Sequence, residues 1–192
     1  LDGVLKALDA ETGEQVWSIQ AESWEEGYTI TSAPLYFDGM VISGFAGAEF
    51  AARGRVKAYD ATDGSRLWTF YTVPAPGEFG SDTWPADSDA WETGGGTVWH
   101  TPAVDPELGL IYFSTGNPGP DYNGAIRPGD NLFTASIVAL DAYSGEYRWH
   151  FQQVHHDIWD FDAPNPVVLC DLDYEGVLRK GLAQAGKTGW VY

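Results

Sequence analysis

An eleven-residue pattern occurs three times, and it constrains the fold more than any other feature. Its copies run from Ala7 to Trp17, Ala58 to Trp68 and Ala139 to Trp149. Each has Asp at its third position (Asp9, Asp60, Asp141), Thr, Asp or Ser at its sixth (Thr12, Asp63, Ser144), Gly at its seventh (Gly13, Gly64, Gly145) and Trp at its end. The pattern reads as strand, polar turn, strand. The Asp and its polar companion can bond turn amides, and the Gly can take positive φ. The Trp falls in the outgoing strand, where a large flat side chain can dock on a neighbouring unit.

Repeated hairpins at this spacing signal a stacked or radial architecture. Asp9 and Asp60 are 51 positions apart, and Asp60 and Asp141 are 81 apart. A unit of about 40–50 residues suits a four-stranded propeller blade. The surplus falls in residues 71–96, rich in Gly, Pro, Asp and Trp, and reads as an insertion between blade strands. Three ordinary hairpins of a β-sandwich are the alternative, but a sandwich does not require one Asp-turn-Gly-Trp register three times. Residues 1–192 are therefore expected to be all-β and to form part of a single β-propeller domain. The chain opens without Met, already inside a repeat, and closes on Trp190-Val191-Tyr192 in what reads as a strand. That suggests an internal piece of a longer chain, with roughly three to four blades, too few to close a ring.

Aromatic residues make up 15% of the chain, nine of them Trp, which suits strands with tight turns. No stretch reads as a long amphipathic helix or a membrane-crossing apolar run. The formal charge of −18 argues against binding a nucleic-acid backbone. It is compatible with a basic partner or a multivalent cation, and equally with an ordinary soluble surface. The single cysteine, Cys170, sits in an apolar run and reads as a buried strand residue.

The densest polar segment is His155-His156-Asp157-Ile158-Trp159-Asp160-Phe161-Asp162. Two His and three Asp can ligate a metal or form an acid/base set; a polar loop with turn-capping Asp explains them equally well. In an extended segment Asp160 and Asp162 would share one side, with Asp157 facing away. Phe45-Ala46-Gly47-Ala48-Glu49-Phe50 surrounds one acid with small residues, as a close backbone approach to a ligand needs and as a plain turn also allows. Gly94-Gly95-Gly96-Thr97-Val98-Trp99 gives Trp99 room to present a face, against a core-packing alternative. Asn117, in Thr115-Gly116-Asn117-Pro118, offers a hard-metal oxygen or is a turn residue before Pro. Lys187 follows Gly186 without the spacing of a phosphate-binding loop.

Together these segments resemble the pyrroloquinoline-quinone (PQQ)-dependent alcohol dehydrogenases, the methanol and ethanol dehydrogenase family. The resemblance covers essentially the whole chain, with four segments in the family's order, and its tryptophan-docking motif is similar to the repeat. It implies a fragment of an eight-bladed quinoprotein propeller. It also implies metal ligands at Glu49, Asn117, Asp160 and Asp162. Trp99 would form the floor under the quinone, and Thr31, Ala46, Gly47, Ala48 and Lys187 would contact the cofactor. Asp160 is the implied catalytic base in oxidation of a primary alcohol, polyol or sugar by hydride transfer to metal-bound PQQ, with Ca²⁺ or a lanthanide as the metal. The implied electron acceptor is cytochrome c or a membrane quinone, and the implied location is the periplasm.

His155-His156-Asp157-Ile158 departs from the Pro-His-Asp-Glu of methanol dehydrogenases, and with Lys187 it leans toward the membrane glucose dehydrogenase branch. Asp162 resembles the extra acid of lanthanide-dependent members, though glucose-type branches carry it too. Two alternatives stand beside this reading: glucose dehydrogenase-like sugar or polyol oxidation, and a non-enzymatic propeller scaffold of the outer-membrane assembly type. A scaffold has no need of Glu49, Asn117, Asp160 and Trp99 together. The 192-residue piece alone is expected to be inactive, since an unclosed ring cannot enclose a cofactor.

Overall fold

In the computed structural model of the chain, residues 2–192 are described; of the expected 1–192 domain, Leu1 lies outside the described residues. Twelve strands are described: β1 (Val4–Leu8), β2 (Gln15–Gln20), β3 (Leu35–Phe37), β4 (Met40–Gly44), β5 (Arg55–Asp60), β6 (Arg66–Tyr71), β7 (Ala103–Asp105), β8 (Leu110–Ser114), β9 (Ser136–Asp141), β10 (Tyr147–Gln152), β11 (Val168–Tyr174) and β12 (Val177–Ala183). They form two four-stranded antiparallel meanders, β3-β4-β5-β6 and β7-β8-β9-β10, flanked by the two-stranded pairs β1-β2 and β11-β12. The helical turns are short 3-10 pieces, and no described helix is long and apolar enough to cross a membrane.

The three repeats are the hairpins β1-β2, β5-β6 and β9-β10, and their registers coincide. Ala7 faces Trp17, Ala58 faces Trp68 and Ala139 faces Trp149, and the register shifts one step further on in every copy. Asp9 Oδ1 accepts from the Glu11 and Thr12 amides, Asp60 Oδ1 from Thr62, and Asp141 Oδ1 from Tyr143 and Ser144. The repeat glycine has a second reason to be glycine. Trp17 Nε1 donates to Ala61 O (2.9 Å) and Trp68 Nε1 donates to Ala142 O (3.2 Å), so each indole reaches the turn of the next repeat. There it lies over that turn's glycine: a Cβ on Gly145 would sit 2.6 Å from Trp68 Cδ2. Trp149 has no following copy of the pattern, is 36% exposed, and packs against the Tyr112 ring.

The cores lie between successive sheets, as expected when blades stack face to face around an axis. Leu5, Tyr28, Phe45 and Tyr59 fill the space between β1-β2 and the first meander. Ile42, Val56, Trp68, Ile111, Phe113 and Leu140 fill the space between the two meanders. Tyr112, Ile137, Ala139 and Val167 close the second meander against β11-β12. The architecture is thus an all-β partial propeller with two full four-stranded blades and two hairpins. Residues 72–102, which contain most of the surplus, run from the last strand of one blade to the first of the next, with 3-10 turns at Ser81–Thr83 and Ala90–Thr93.

Two expectations are corrected. Cys170 is half-buried in β11, most of whose residues are exposed. Trp190-Val191-Tyr192 forms no strand; Val191 makes one isolated bridge to Ala185 in a tight loop.

Candidate functional site

In both meanders the repeat turns occupy one end of the sheet. Met40 pairs with Asp60, and Leu110 with Asp141. The sequence-derived site residues fall at the other end, beyond Gly44 and Ser114. There five segments cross and are tied by main-chain bonds. Ala46 N donates to Thr29 O (2.9 Å), Val98 N to Phe45 O (3.0 Å), Gly116 N to Thr97 O (2.8 Å), Gly96 N to Asn117 O (2.8 Å) and Ala163 N to Thr115 O (3.0 Å). Thr31 Oγ1 adds a bond to Trp99 O (3.1 Å). Thr31, Ala46, Gly47, Ala48, Glu49, Trp99, Asn117 and Asp162 are thereby carried on one transverse ladder. Trp99 is not core-packed; it is 40% exposed.

The glycine run before Trp99 acts differently from expectation. Gly95 has φ +71°, and a Cβ there would stand 2.6 Å from Gly119 N and 2.7 Å from Asn117 O. Its work is to let two backbones cross, which sets Asn117 in place.

The 155–166 segment is a loop and not an extended strand, so the expected alternation fails as a cause. Asp157 is fully buried, and its carboxylate accepts the amides of Trp159 (3.0 Å), Phe161 (2.9 Å) and Asp162 (3.2 Å). The chain is wound around this carboxylate, with Asp160 and Asp162 both in the left-handed region at φ +61° and +57°. Three amide donors outweigh the extended preference of an alternating sequence. Asp157 is therefore the hub of the loop and does not face away. His155 and His156 leave the cluster: His155 Nδ1 lies 3.3 Å from Asp130 Oδ2, and His156 Nδ1 bonds Gly129 O (2.7 Å).

Around this loop the charged groups converge. Asp162 is buried; Oδ1 accepts from Asn117 N (2.7 Å) and Oδ2 from Lys187 Nζ (2.7 Å). Lys187 Nζ also donates to Asp160 O (3.1 Å). The Asp160 carboxylate makes no hydrogen bond among the described residues. Burial raises its pKa above the ordinary 3.8, the Asp162 charge adds to this, and Lys187 opposes. Burial pulls the Lys187 ammonium down, but Asp162, Asp160 and Asp157 outweigh it and hold it above its usual value.

Glu49 stands on the wall of a cavity of about 450 Å³ shared with Ala48, Gly119 and Asp121. Glu49 has no hydrogen bond or ion pair among the described residues. The side-chain amide of Asn117 donates to Asp121 Oδ1 (2.5 Å) and to Pro118 O (3.3 Å). Among the described residues no three His, Cys, Asp or Glu side chains gather as a preformed metal cage. What this edge offers instead is hard oxygen donors without partners, namely Glu49 and Asp160, beside an exposed indole and a lysine. That donor chemistry fits a calcium-like or lanthanide-like cation, and the exposed face of Trp99 fits a flat ring system.

Sequence reasoning missed two members. Arg127 is fully buried; Nη2 donates to Pro120 O (2.9 Å), Asp121 O (3.0 Å) and Asp157 O (2.7 Å), bracing the Asn117 loop against the Asp157 loop. Asp121 belongs to none of the motifs read from the sequence. The only sequence signal for Arg127 was its rarity, as one of ten Lys and Arg in a chain of 192.

A family model described as "PQQ: Glucose/ethanol/alcohol dehydrogenase, beta-propeller domain" matches residues 20–192. The chain is 43% identical over 205 residues to the quinohemoprotein alcohol dehydrogenase ADH-IIG of Pseudomonas putida, covering 100% of this chain and 28% of that protein. It is 39% identical over 209 residues to methanol dehydrogenase [cytochrome c] subunit 1 of Methylorubrum extorquens, covering all of this chain and 33% of that one. A solved europium-containing methanol dehydrogenase superposes with a TM-score of 0.93 at 36% identity, covering 100% of this chain and 36% of its own. The chain thus spans about a third of the length of these relatives.

Proposed function

The chain belongs to the β-propeller domain family of the glucose, ethanol and alcohol dehydrogenases, and on that premise we propose that the whole protein oxidises a primary alcohol using pyrroloquinoline quinone and a hard cation. The observation that carries this reading is the gathering of Asn117, Asp160, Asp162 and Lys187 on the sheet edge that also exposes Trp99. A propeller scaffold that only binds proteins has no use for a lysine and three aspartates around a strained loop.

Glu49 and Asn117 would supply oxygen donors to the cation, with Asp160 and Asp162 as further acids on the same sheet edge. Trp99 offers its indole face to the quinone, and Thr31, Ala46, Gly47 and Ala48 line its rim. When bound, the quinone would take the hydrogen of the alcohol's C–H bond together with its two electrons, as hydride, and the cation would make it a stronger acceptor. Asp160 does the proton work. It accepts the hydroxyl proton of the alcohol as the carbonyl product forms. Its carboxylate makes no hydrogen bond among the described residues, which leaves it open to accept that proton. Lys187 stands where it can neutralise negative charge growing nearby. A periplasmic setting and transfer of the electrons to cytochrome c or a membrane quinone accompany this reading.

The test is Asp160→Asn in the full-length protein. Turnover should fall by about 10²–10⁴-fold, the usual cost of losing a general base, while absorbance shows full quinone occupancy. Near-normal turnover at full occupancy would place the base elsewhere.

A further inference from the structure

We infer that Asp121 is a positioning residue for the cation site: its carboxylate sets the Asn117 side-chain amide so that the carbonyl oxygen is the atom left to bind. The inference rests on the reading of Asn117 as an oxygen donor and extends it to a residue that none of the motifs includes.

Asn117 is 2% exposed and anchored at both ends of its peptide. Its N–H donates to Asp162 Oδ1, and its C=O accepts from Gly96 N. The freedom that remains is a flip of the side-chain amide, which exchanges a donor for an acceptor at the same place. Two groups decide that flip. The amide nitrogen lies 2.5 Å from Asp121 Oδ1 and 3.3 Å from Pro118 O. An ionised carboxylate and a peptide carbonyl can only accept. The opposite flip would press Asn117 Oδ1 against two acceptors, one of them charged. The NH₂ group therefore belongs to Asp121 and Pro118, and Oδ1 is left without a protein donor.

Asp121 is itself held in place. Arg127 donates to the carbonyls of Pro120 and Asp121, and Arg127 is fully buried. The Asp121 side chain also lines the cavity that Glu49 lines. Its carboxylate thus bonds one proposed donor and borders the cavity of the other. Groups that orient ligands in this way typically carry about 10–100-fold in metal affinity.

The experiment uses the full-length protein prepared without quinone, with La³⁺ and Ca²⁺ affinities measured by competition against a chelator. Asp121→Asn keeps an acceptor oxygen of the same reach, and Asp121→Leu removes it; Asp121→Ala replaces the Leu variant if that one does not fold. We expect the Leu or Ala variant to bind about tenfold or more weakly, and Asp121→Asn to recover to within about threefold of the native protein. Melting without cation should be alike for the variants. Affinity unchanged in the Leu or Ala variant, while Asn117→Ala weakens binding, overturns the inference and leaves the cation site standing. Equal loss in the Asn and Leu variants overturns it too, because charge and not orientation would then be the cause. Unchanged binding in both Asn117→Ala and Glu49→Ala overturns the reading of the site, and the inference with it.

Discussion

Gly145 is where the packing of one repeat on the next can be weighed. It has φ +71°, and a Cβ there would lie 2.6 Å from Trp68 Cδ2 and 2.7 Å from Cε3. Gly39 provides the comparison: it has φ +82°, and a Cβ there meets nothing within 4 Å. An L side chain in the left-handed region costs about 1–2 kcal/mol, so Gly39→Ala should cost that and no more. Gly145→Ala should cost the same strain plus the forced displacement of a buried indole. Such overpacking adds about 1–3 kcal/mol. Trp68→Ala removes the indole, at about 3–5 kcal/mol. In that background Gly145→Ala should fall back to the strain alone. Urea unfolding of the full-length protein and the variants gives the cycle, with an expected coupling between Trp68 and Gly145 of about 1–3 kcal/mol. Equal costs at Gly39 and Gly145, or no coupling to Trp68, would show that the repeat glycine serves only its turn and that the indole does not dock on it.

Two further outcomes follow from the charges. Backbone bonding from Ser144, then the Arg148 pair, lowers the Asp141 pKa from 3.8 to about 2, so its stabilisation is complete above the unfolded value and is lost as pH falls through the folded one. Asp141→Asn should lower stability by about 0.5–1 kcal/mol at neutral pH after discounting for exposure, and the gap in melting temperature should close toward pH 2; a gap that persists there would show that charge is not the cause. Asp162→Asn keeps the acceptor for Asn117 N and removes a charge, so La³⁺ affinity should fall about tenfold relative to Ca²⁺; equal losses for both ions would show that Asp162 does not distinguish them.

The fold was legible because the repeat carries its own register. Asp, Gly and Trp at fixed offsets specify turn, φ and docking partner, and these are local facts that a sequence displays. The site was legible as a set of residue types, and the places where it was misread are instructive. The loop at Asp157 alternates polar and aromatic residues like a strand, yet three amides close on one carboxylate and coil it. Alternation reports exposure in a sheet; it cannot report a hydrogen-bond hub. Gly95 looked like room for Trp99, but its neighbours are the backbone of Asn117 and Gly119, more than twenty positions away. Arg127 and Asp121 match no motif: the bonds that give them a role, to Asn117, Pro120 and Asp157, depend on how irregular loops fold and on no periodic pattern.

The two ends of each blade divide the labour, and this couples the repeat to the chemistry. Trp68 docks on the turn at Ala142 and Gly145, at the end of the sheets where Met40 pairs with Asp60 and Leu110 with Asp141. Glu49 follows β4 and Asn117 follows β8, the second strand of each successive meander, at the opposite end. A five-residue strand spans about 17 Å, and the core between the two meanders makes them rigid. The indole on its glycine at one end therefore helps set the angle between blades, and that angle bears on the separation of the two proposed oxygen donors at the other. Neither donor's own sequence surroundings could encode that distance. The main-chain ladder through Phe45, Val98, Thr97 and Gly116 ties together the segments that carry Glu49 and Asn117. A donor pair assembled from two blades is only as well placed as the blades are packed, which is the physical reason to find a strict docking repeat beneath a site of this kind.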